Sequence, residues 1–230
     1  RWMICDRSGK FLTQRKLPRL ALIQVAVKES SLCLSLATSS SPPLELPAVP
    51  TSDSPVEVEV WGDVCVAWSM GNEADQWLSK FLECEAQLVY MPDNTQRAID
   101  HGRFDMPNSF ADAYPFLLLS EASLANLNSR LEQPVPMNRF RPNLVVTGCE
   151  PFAEDTWQQV KIGSVVFDVA KPCSRCSIPG VAQSTGIQGK EPLKTLATYR
   201  RWDHAIWFGQ NLIAHGPGQL TVGNGVEVLA

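Results

Sequence analysis

Val160-Lys161-Ile162-Gly163-Ser164-Val165-Val166-Phe167-Asp168-Val169 is the stretch that decides the fold class. Two β-rich runs flank Gly163-Ser164, a two-residue turn with glycine first, which predicts a hairpin over residues 160–162 and 165–169. The second arm runs toward Lys171-Pro172-Cys173-Ser174-Arg175-Cys176. The same signal recurs on both sides. Residues 2–5 and 11–12 flank the turn Asp6-Arg7-Ser8-Gly9-Lys10, and residues 21–27 and 31–36 read as another hairpin. Residues 56–60, 63–67 and 87–90 read as strands, and residues 143–147 as a buried strand. The tail offers short strands at 211–214, 219–222 and 226–229, the last two joined by Gly223-Asn224-Gly225.

Helical signals are few. Ala74, Trp77, Leu78, Phe81 and Leu82 fall on one face of a helix, with Asn72 as its expected N-cap and Glu73 suited to its dipole. Ser120 caps a second helix over 121–130, and Pro192 opens a third over 191–202. Residues 38–55 are rich in Ser and Pro and read as a long surface loop. Residues 91–108 are polar and irregular and hold the expected boundary between two halves. Short strands with few helices predict a strand-dominated, barrel-rich mixed α/β architecture.

The 230 residues suffice for one large domain or two small ones, and 44% hydrophobic content supports a packed core. A formal net charge of -4 excludes a general nucleic-acid binder, which needs a basic face. No run of about 18 apolar residues predicts a membrane span. The seven cysteines are odd in number and dispersed, which fits reduced thiols better than a disulfide framework. The chain begins at Arg1 rather than Met, so we expect a trimmed N-terminus with any targeting segment upstream.

Cys173-Ser174-Arg175-Cys176 is a CxxC. Three plain readings apply: half of a zinc site, a thioredoxin-type redox pair, or two buried inert cysteines. Zinc needs a second close pair of Cys or His, and His101, His204 and His215 do not cluster. A redox pair precedes a helix, whereas Ser177-Ile178-Pro179-Gly180 follows here. By pattern alone, inert cysteines lead. A further reading joins this stretch to Asn138-Arg139-Phe140-Arg141-Pro142-Asn143. A soft thiolate and nearby arginines suit a metal that carries an anionic organic ligand. On a strand Arg139 and Arg141 would share a face, where an anion between them would relieve their repulsion. Asp112, in Phe110-Ala111-Asp112-Ala113-Tyr114-Pro115, reads otherwise as an ordinary turn residue.

Six motifs in order carry a family resemblance: residues 11–15 (Phe-Leu-Thr-Gln-Arg), 120–124 (Ser-Glu-Ala-Ser-Leu), 140–143 (Phe-Arg-Pro-Asn), 171–176, 191–196 (Glu-Pro-Leu-Lys-Thr-Leu) and 208–212 (Phe-Gly-Gln-Asn-Leu). With them the chain resembles the MOSC family of molybdenum-cofactor proteins. Within that family it resembles bacterial reductases of N-hydroxylated compounds and the mitochondrial amidoxime-reducing components. The resemblance implies an N-terminal MOSC-associated β domain over residues 1–92, lacking its first strand, and a MOSC β-barrel domain over 93–230. It implies an open sheet edge near residues 2–5 and a cradle short of one upstream Lys and Ser. A molybdopterin-type molybdenum cofactor would lie in a cleft between the domains. Cys176 would bind the metal and act as the catalytic residue. Arg15, Arg141 and Asn143 would hold the pterin and its phosphate, with Asp112, Ala113, Tyr114 and Ser174 completing the cradle.

The implied activity is molybdenum-dependent reduction of hydroxylamines, amidoximes and N-hydroxylated bases, with electrons from a flavoprotein or ferredoxin. An iron–sulfur cluster would sit only in a further C-terminal domain or in the partner. The bacterial reading places the chain in the cytoplasm. The alternative is a molybdenum-cofactor carrier or sulfur-transfer module, marked by fusion to a pyridoxal-phosphate-dependent sulfurase.

Overall fold

The computed structural model describes residues 1–37, 42–95, 97 and 108–230. The chain packs as two units, Arg1–Ala113 with Val181–Gln188, and Tyr114–Gly180 with Gly189–Ala230. The expected boundary at 92/93 precedes that division. Most of the irregular stretch behind it, together with His101, lies outside the described residues. Among the described residues strands dominate and helices are three and short, as the sequence implies.

In the first unit, β1 (Trp2–Cys5) pairs with β7 (Gln87–Tyr90). The sheet continues through β6 (Asp63–Ser69) to β5 (Pro55–Val60), in the order β1-β7-β6-β5. β1 therefore forms an edge of this sheet. Beyond it Leu12 N–H donates to the Ile4 carbonyl at 2.8 Å, beside an isolated Cys5–Phe11 bridge. The second arm of the first expected hairpin forms no strand: besides that bridge, Lys10 bridges Glu59 of β5, and Phe11 N–H donates to the Glu59 carbonyl at 3.3 Å.

A second sheet joins β2 (Ile23–Val27), β3 (Ser31–Leu36) and β4 (Leu44–Pro47). β4 corrects the long-loop reading of residues 38–55, of which 38–41 lie outside the described residues. Leu44 and Leu46 face Leu34 and Leu32 across the β3–β4 pair, and all four are buried. Alternation of apolar and polar residues outweighs flanking prolines, which are tolerated at strand ends.

α1 (Asn72–Leu82) presses Ala74, Leu78 and Leu82 into the core beside these leucines. Its N-cap is Gly71 and not Asn72; Gly71 sits at φ 99°, a conformation that disfavours side chains. Ser69 Oγ accepts the Gly71 N–H at 3.1 Å. The 181–188 segment is tied in by Gln14 and Gln183, whose side-chain amides exchange hydrogen bonds of 3.0 and 3.3 Å.

The second unit is built on one seven-stranded sheet. β8 (Phe116–Ser120) leads into α2 (Glu121–Asn128), where Ser120 Oγ accepts from Ser123 N–H at 3.0 Å as expected of its cap. β9 (Leu144–Val146) runs parallel to β8 at the sheet edge, and only Val146 is buried. An edge strand has one neighbour, so the buried-strand reading of 143–147 fails.

The deciding hairpin forms as β10 (Gln159–Ile162) and β11 (Val165–Ser174). β11 runs further than expected, into the CxxC, through two register shifts against the strand Ala205–Ala214. The third expected helix is only α3 (Leu193–Leu196). The chain then turns into β12 (Arg201–Trp202), paired with the start of β13 (Ala205–Ala214). At the tail, residues 219–222 form no strand. β14 (Val226–Val228) pairs with β10 instead, where three ladder positions replace a two-strand tail hairpin.

Gly209 lies in mid-β13 at φ +83°, and a Cβ there would stand 2.8 Å from the Leu118 carbonyl oxygen. Only glycine lets β13 lie that close to β8. Phe208 beside it is fully buried and packs on Phe140 at 4.6 Å between ring centroids. This packing fixes the start of the 140–143 motif.

Candidate functional site

In the second unit the CxxC and the 140–143 motif meet through one side chain. Arg175 Nη2 donates to the Phe140 carbonyl at 2.9 Å, and Nη1 to Cys173 Sγ at 3.2 Å. Its guanidinium also lies over the Phe140 ring at 5.5 Å. Arg175 Nε is buried and has no hydrogen-bond partner among the described residues. A buried, unspent donor is costly and marks a place where a ligand acceptor would be welcome. Arg175 was not singled out as a site residue from sequence, although it stands next to Cys176.

Cys176 follows the end of β11, partly exposed and free. Among the described residues no group of three or more His, Cys, Asp or Glu could hold a metal ion. Any protein ligand set that includes Cys176 would thus be small, which suits a metal that brings its other ligands with it. Both CxxC cysteines are partly exposed, so the inert-burial reading does not describe them.

The two arginines of the 139–141 stretch do different things. They are not on a strand: Arg139 ends a 3-10 turn at Met137–Arg139, and Arg141 sits at φ 55°. Arg139 Nε donates to the Pro179 carbonyl at 2.7 Å and Nη2 to the Glu191 carbonyl at 2.9 Å. It is a structural clip, and burial lowers its pKa. The shared-face anion site expected for the pair is therefore corrected. Arg141 is exposed, and its guanidinium has no ion pair or hydrogen bond among the described residues. A non-glycine residue at positive φ costs about 1 kcal/mol, a strain that gathers at functional positions.

The remaining expected residues are placed as follows. Asn143 Oδ1 accepts Leu117 N–H at 2.9 Å, so its side chain fixes the β8–β9 edge. Ser174 is exposed at the end of β11, in register with Trp207. Tyr114 is buried, with Lys171 Nζ 5.3 Å over its ring. Burial raises its pKa.

Arg15, Asp112 and Ala113 belong to the first unit. Arg15 Nη2 pairs with Asp112 Oδ2 at 3.0 Å, and its guanidinium lies 4.4 Å over the Trp61 ring. Trp61 Nε1 donates to Asp112 Oδ1 at 3.2 Å. Asp112 is therefore a shared acceptor and not a turn cap. Ala113 contributes its carbonyl, which accepts from Asn108 Nδ2 at 3.3 Å. Arg97, 6% exposed, donates to the Ser109 and Ala111 carbonyls and pairs with Asp63, which holds this loop. Trp61 was missed from sequence. Its only signal was Trp61-Gly62 in the tight turn between β5 and β6, where both residues have positive φ.

Comparison with known proteins now decides the family. The MOSC domain model matches residues 105–227, and the MOSC N-terminal beta barrel domain model matches residues 1–85. The chain belongs to the MOSC family. The expected domain boundary at 92/93 falls between the two matched segments. This MOSC protein is 37% identical to mitochondrial amidoxime-reducing component 1 of Mus musculus, over 99% of this chain and 71% of that one. It is 36% identical to component 1 of Homo sapiens, covering 99% and 72%. Component 2 of Bos taurus is 36% identical over 88% of this chain and 62% of its own. MOSC domains and amidoxime-reducing components are associated with the molybdenum cofactor. Among the described residues of the MOSC protein no helix is long and apolar enough to cross a membrane.

Proposed function

We propose that this MOSC protein is a molybdenum-cofactor-dependent reductase of N-hydroxylated compounds. One observation carries the reading. A partly exposed cysteine, Cys176, follows an arginine that spans to Phe140, in a chain 37% identical to an amidoxime-reducing component over 99% of its length. The residues present fit the cofactor: a soft donor at Cys176 and, among the described residues, a guanidinium at Arg141 with no ion pair and a buried donor at Arg175 Nε with no acceptor.

The cofactor, when bound, would supply the two-electron couple that, with two protons, converts an N–OH group into N–H and water. The protein does the rest. Cys176 offers its thiolate as the metal's protein ligand. Arg141 takes the anionic tail, and Arg175 holds the Cys176 segment against Phe140 while its Nε donates to the bound ligand. Ser174, Asn143 and Tyr114 belong to the same unit as Cys176 and Arg141; in the first unit, Arg15, Asp112 and Ala113 are the residues we assign to cofactor binding. We place the domains at 1–92 and 93–230. Substrates are small hydroxylamines, amidoximes and N-hydroxylated bases. The electron donor is a flavoprotein or ferredoxin partner.

The test compares Cys176→Ser with Cys173→Ser in protein made by a cofactor-competent host. Cys176→Ser abolishes amidoxime reduction, and Cys173→Ser keeps most of it. Equal loss in both would point to a CxxC zinc or disulfide pair. Full molybdenum loading of the native protein without any reduction would favour a carrier.

A further inference from the structure

A series of flat groups runs from the core of the second unit to its surface beside the Cys176 segment. Phe152 packs edge-on against buried Phe208 at 6.3 Å. The Arg200 guanidinium lies 4.4 Å over Phe152 and 4.9 Å over Trp202. Trp202 stacks on Trp207 at 5.7 Å with only 22° between planes. Trp207 ends the series and is partly exposed, and Trp202 is 40% exposed.

The series is rigid. Arg200 pairs with Asp155 at 2.6 Å, and Asp155 also accepts from Gln210 at 2.7 Å. Trp207 N–H donates to the Arg200 carbonyl at 2.9 Å, and Arg200 Nε donates back to the Trp207 carbonyl at 3.2 Å. Trp207 Nε1 donates to the Trp202 carbonyl at 2.9 Å. The only polar atom of that indole is therefore used, Trp202 covers one face of the ring, and what Trp207 leaves partly exposed is apolar. Asp203 and His204, both at positive φ, close the β12–β13 turn that sets Trp202 on Trp207.

The location gives the series a use. Trp207 stands opposite Ser174 in the β11–β13 register, and Arg175 N–H donates to the Ile206 carbonyl at 2.7 Å. Cross-strand partners share a face of the sheet, so Trp207 lies on the face of exposed Ser174, two residues before Cys176.

We infer that Trp207, backed by Trp202 and Arg200, is a stacking platform that selects flat, aromatic N-hydroxylated substrates over aliphatic ones. The inference rests on Cys176 as the reaction centre. A ring stacked on Trp207 would carry its C=N–OH group toward the Cys176 segment. A platform with no free hydrogen-bonding atom recognises a π surface and tolerates varied ring substituents.

The experiment measures kcat/KM of the molybdenum-loaded protein for an aromatic and an aliphatic amidoxime. In Trp207→Ala the aromatic-to-aliphatic ratio falls about tenfold, the scale of one lost stacking partner. Trp207→Phe restores most of it. If Trp207→Ala does not fold, Trp207→Leu replaces it, since leucine fills the space without an aromatic face. An unchanged ratio, or an equal fall in Trp207→Phe, overturns the platform. Equilibrium dialysis of the same two compounds separates this from failure of the reductase reading. If neither compound is reduced, the reductase reading fails, and the platform stands only if the aromatic compound binds about tenfold tighter and Trp207→Ala removes that margin. Equal binding of the two compounds overturns it.

Discussion

Arg15 and Arg141 both stand in family motifs, yet the two units treat them differently. Arg15 is closed on itself: Asp112 takes its charge and Trp61 covers its face. Arg141 is exposed with its charge unmatched among the described residues. An arginine already neutralised must share or leave its partner to bind an anion, whereas an unmatched one loses little but water. Anion affinity should therefore be concentrated on the second unit. The first unit offers a preset, aromatic-backed arginine that responds less when removed.

The sharpest way to break this contrast is to compare Arg141→Ala with Arg15→Ala. Arg141→Ala should weaken cofactor affinity roughly 10- to 100-fold and lower occupancy with it, the scale of a charge-assisted contact of about 1.5–3 kcal/mol. Arg15→Ala should lower it less, measured as pterin and molybdenum per chain at matched expression. The reverse order would show that the closed arginine is the one the ligand uses.

Within the 139–141 stretch the contrast becomes one of stability against binding. Arg139 holds the Pro179 and Glu191 carbonyls, and the Arg141 guanidinium holds no partner among the described residues. Arg139→Ala should cost about 2 kcal/mol, a fall of about 4–8 °C in melting temperature. Arg141→Ala should move the melting temperature by about 1 °C or less.

A smaller effect separates the cysteines. Burial pushes the Cys5 thiol up to about 12, with Asp6 and Asp75 adding to it. Thiolate is the reactive form, so at pH 8 Cys5 stays protonated and fully buried. A thiol reagent applied to the native protein should label Cys176 within minutes and leave Cys5 unlabelled until unfolding. Peptide mass mapping reads both sites at once, and early labelling of Cys5 would show that the first unit opens readily.

Much of this was legible in the sequence where a period or a cap was present. α1 announces itself by its apolar face, α2 by Ser120, and β10–β11 by Gly163-Ser164. Where pairing partners decide, the sequence was silent. β4 hides three residues between Pro43 and Pro47, and β14 chooses β10 over its own neighbour. The stretch after Leu196 leaves the helix because Arg201 and Trp202 have a better partner in Ile206 and Ala205. The site divided the same way. Cys176, Arg141 and Arg15 came from motifs. Arg175, Trp61 and Trp207 matter through what they touch, and no spacing in one chain reports a cation over a ring or an arginine reaching a distant carbonyl.

The central claim is that Cys176 is the protein's sulfur ligand to molybdenum. X-ray absorption at the molybdenum edge tests it directly, on native protein and on Cys176→Ser and Cys173→Ser proteins loaded in the same host. The account predicts one fewer sulfur neighbour in Cys176→Ser and an unchanged shell in Cys173→Ser. An unchanged sulfur count in Cys176→Ser, or the loss appearing in Cys173→Ser, would contradict it.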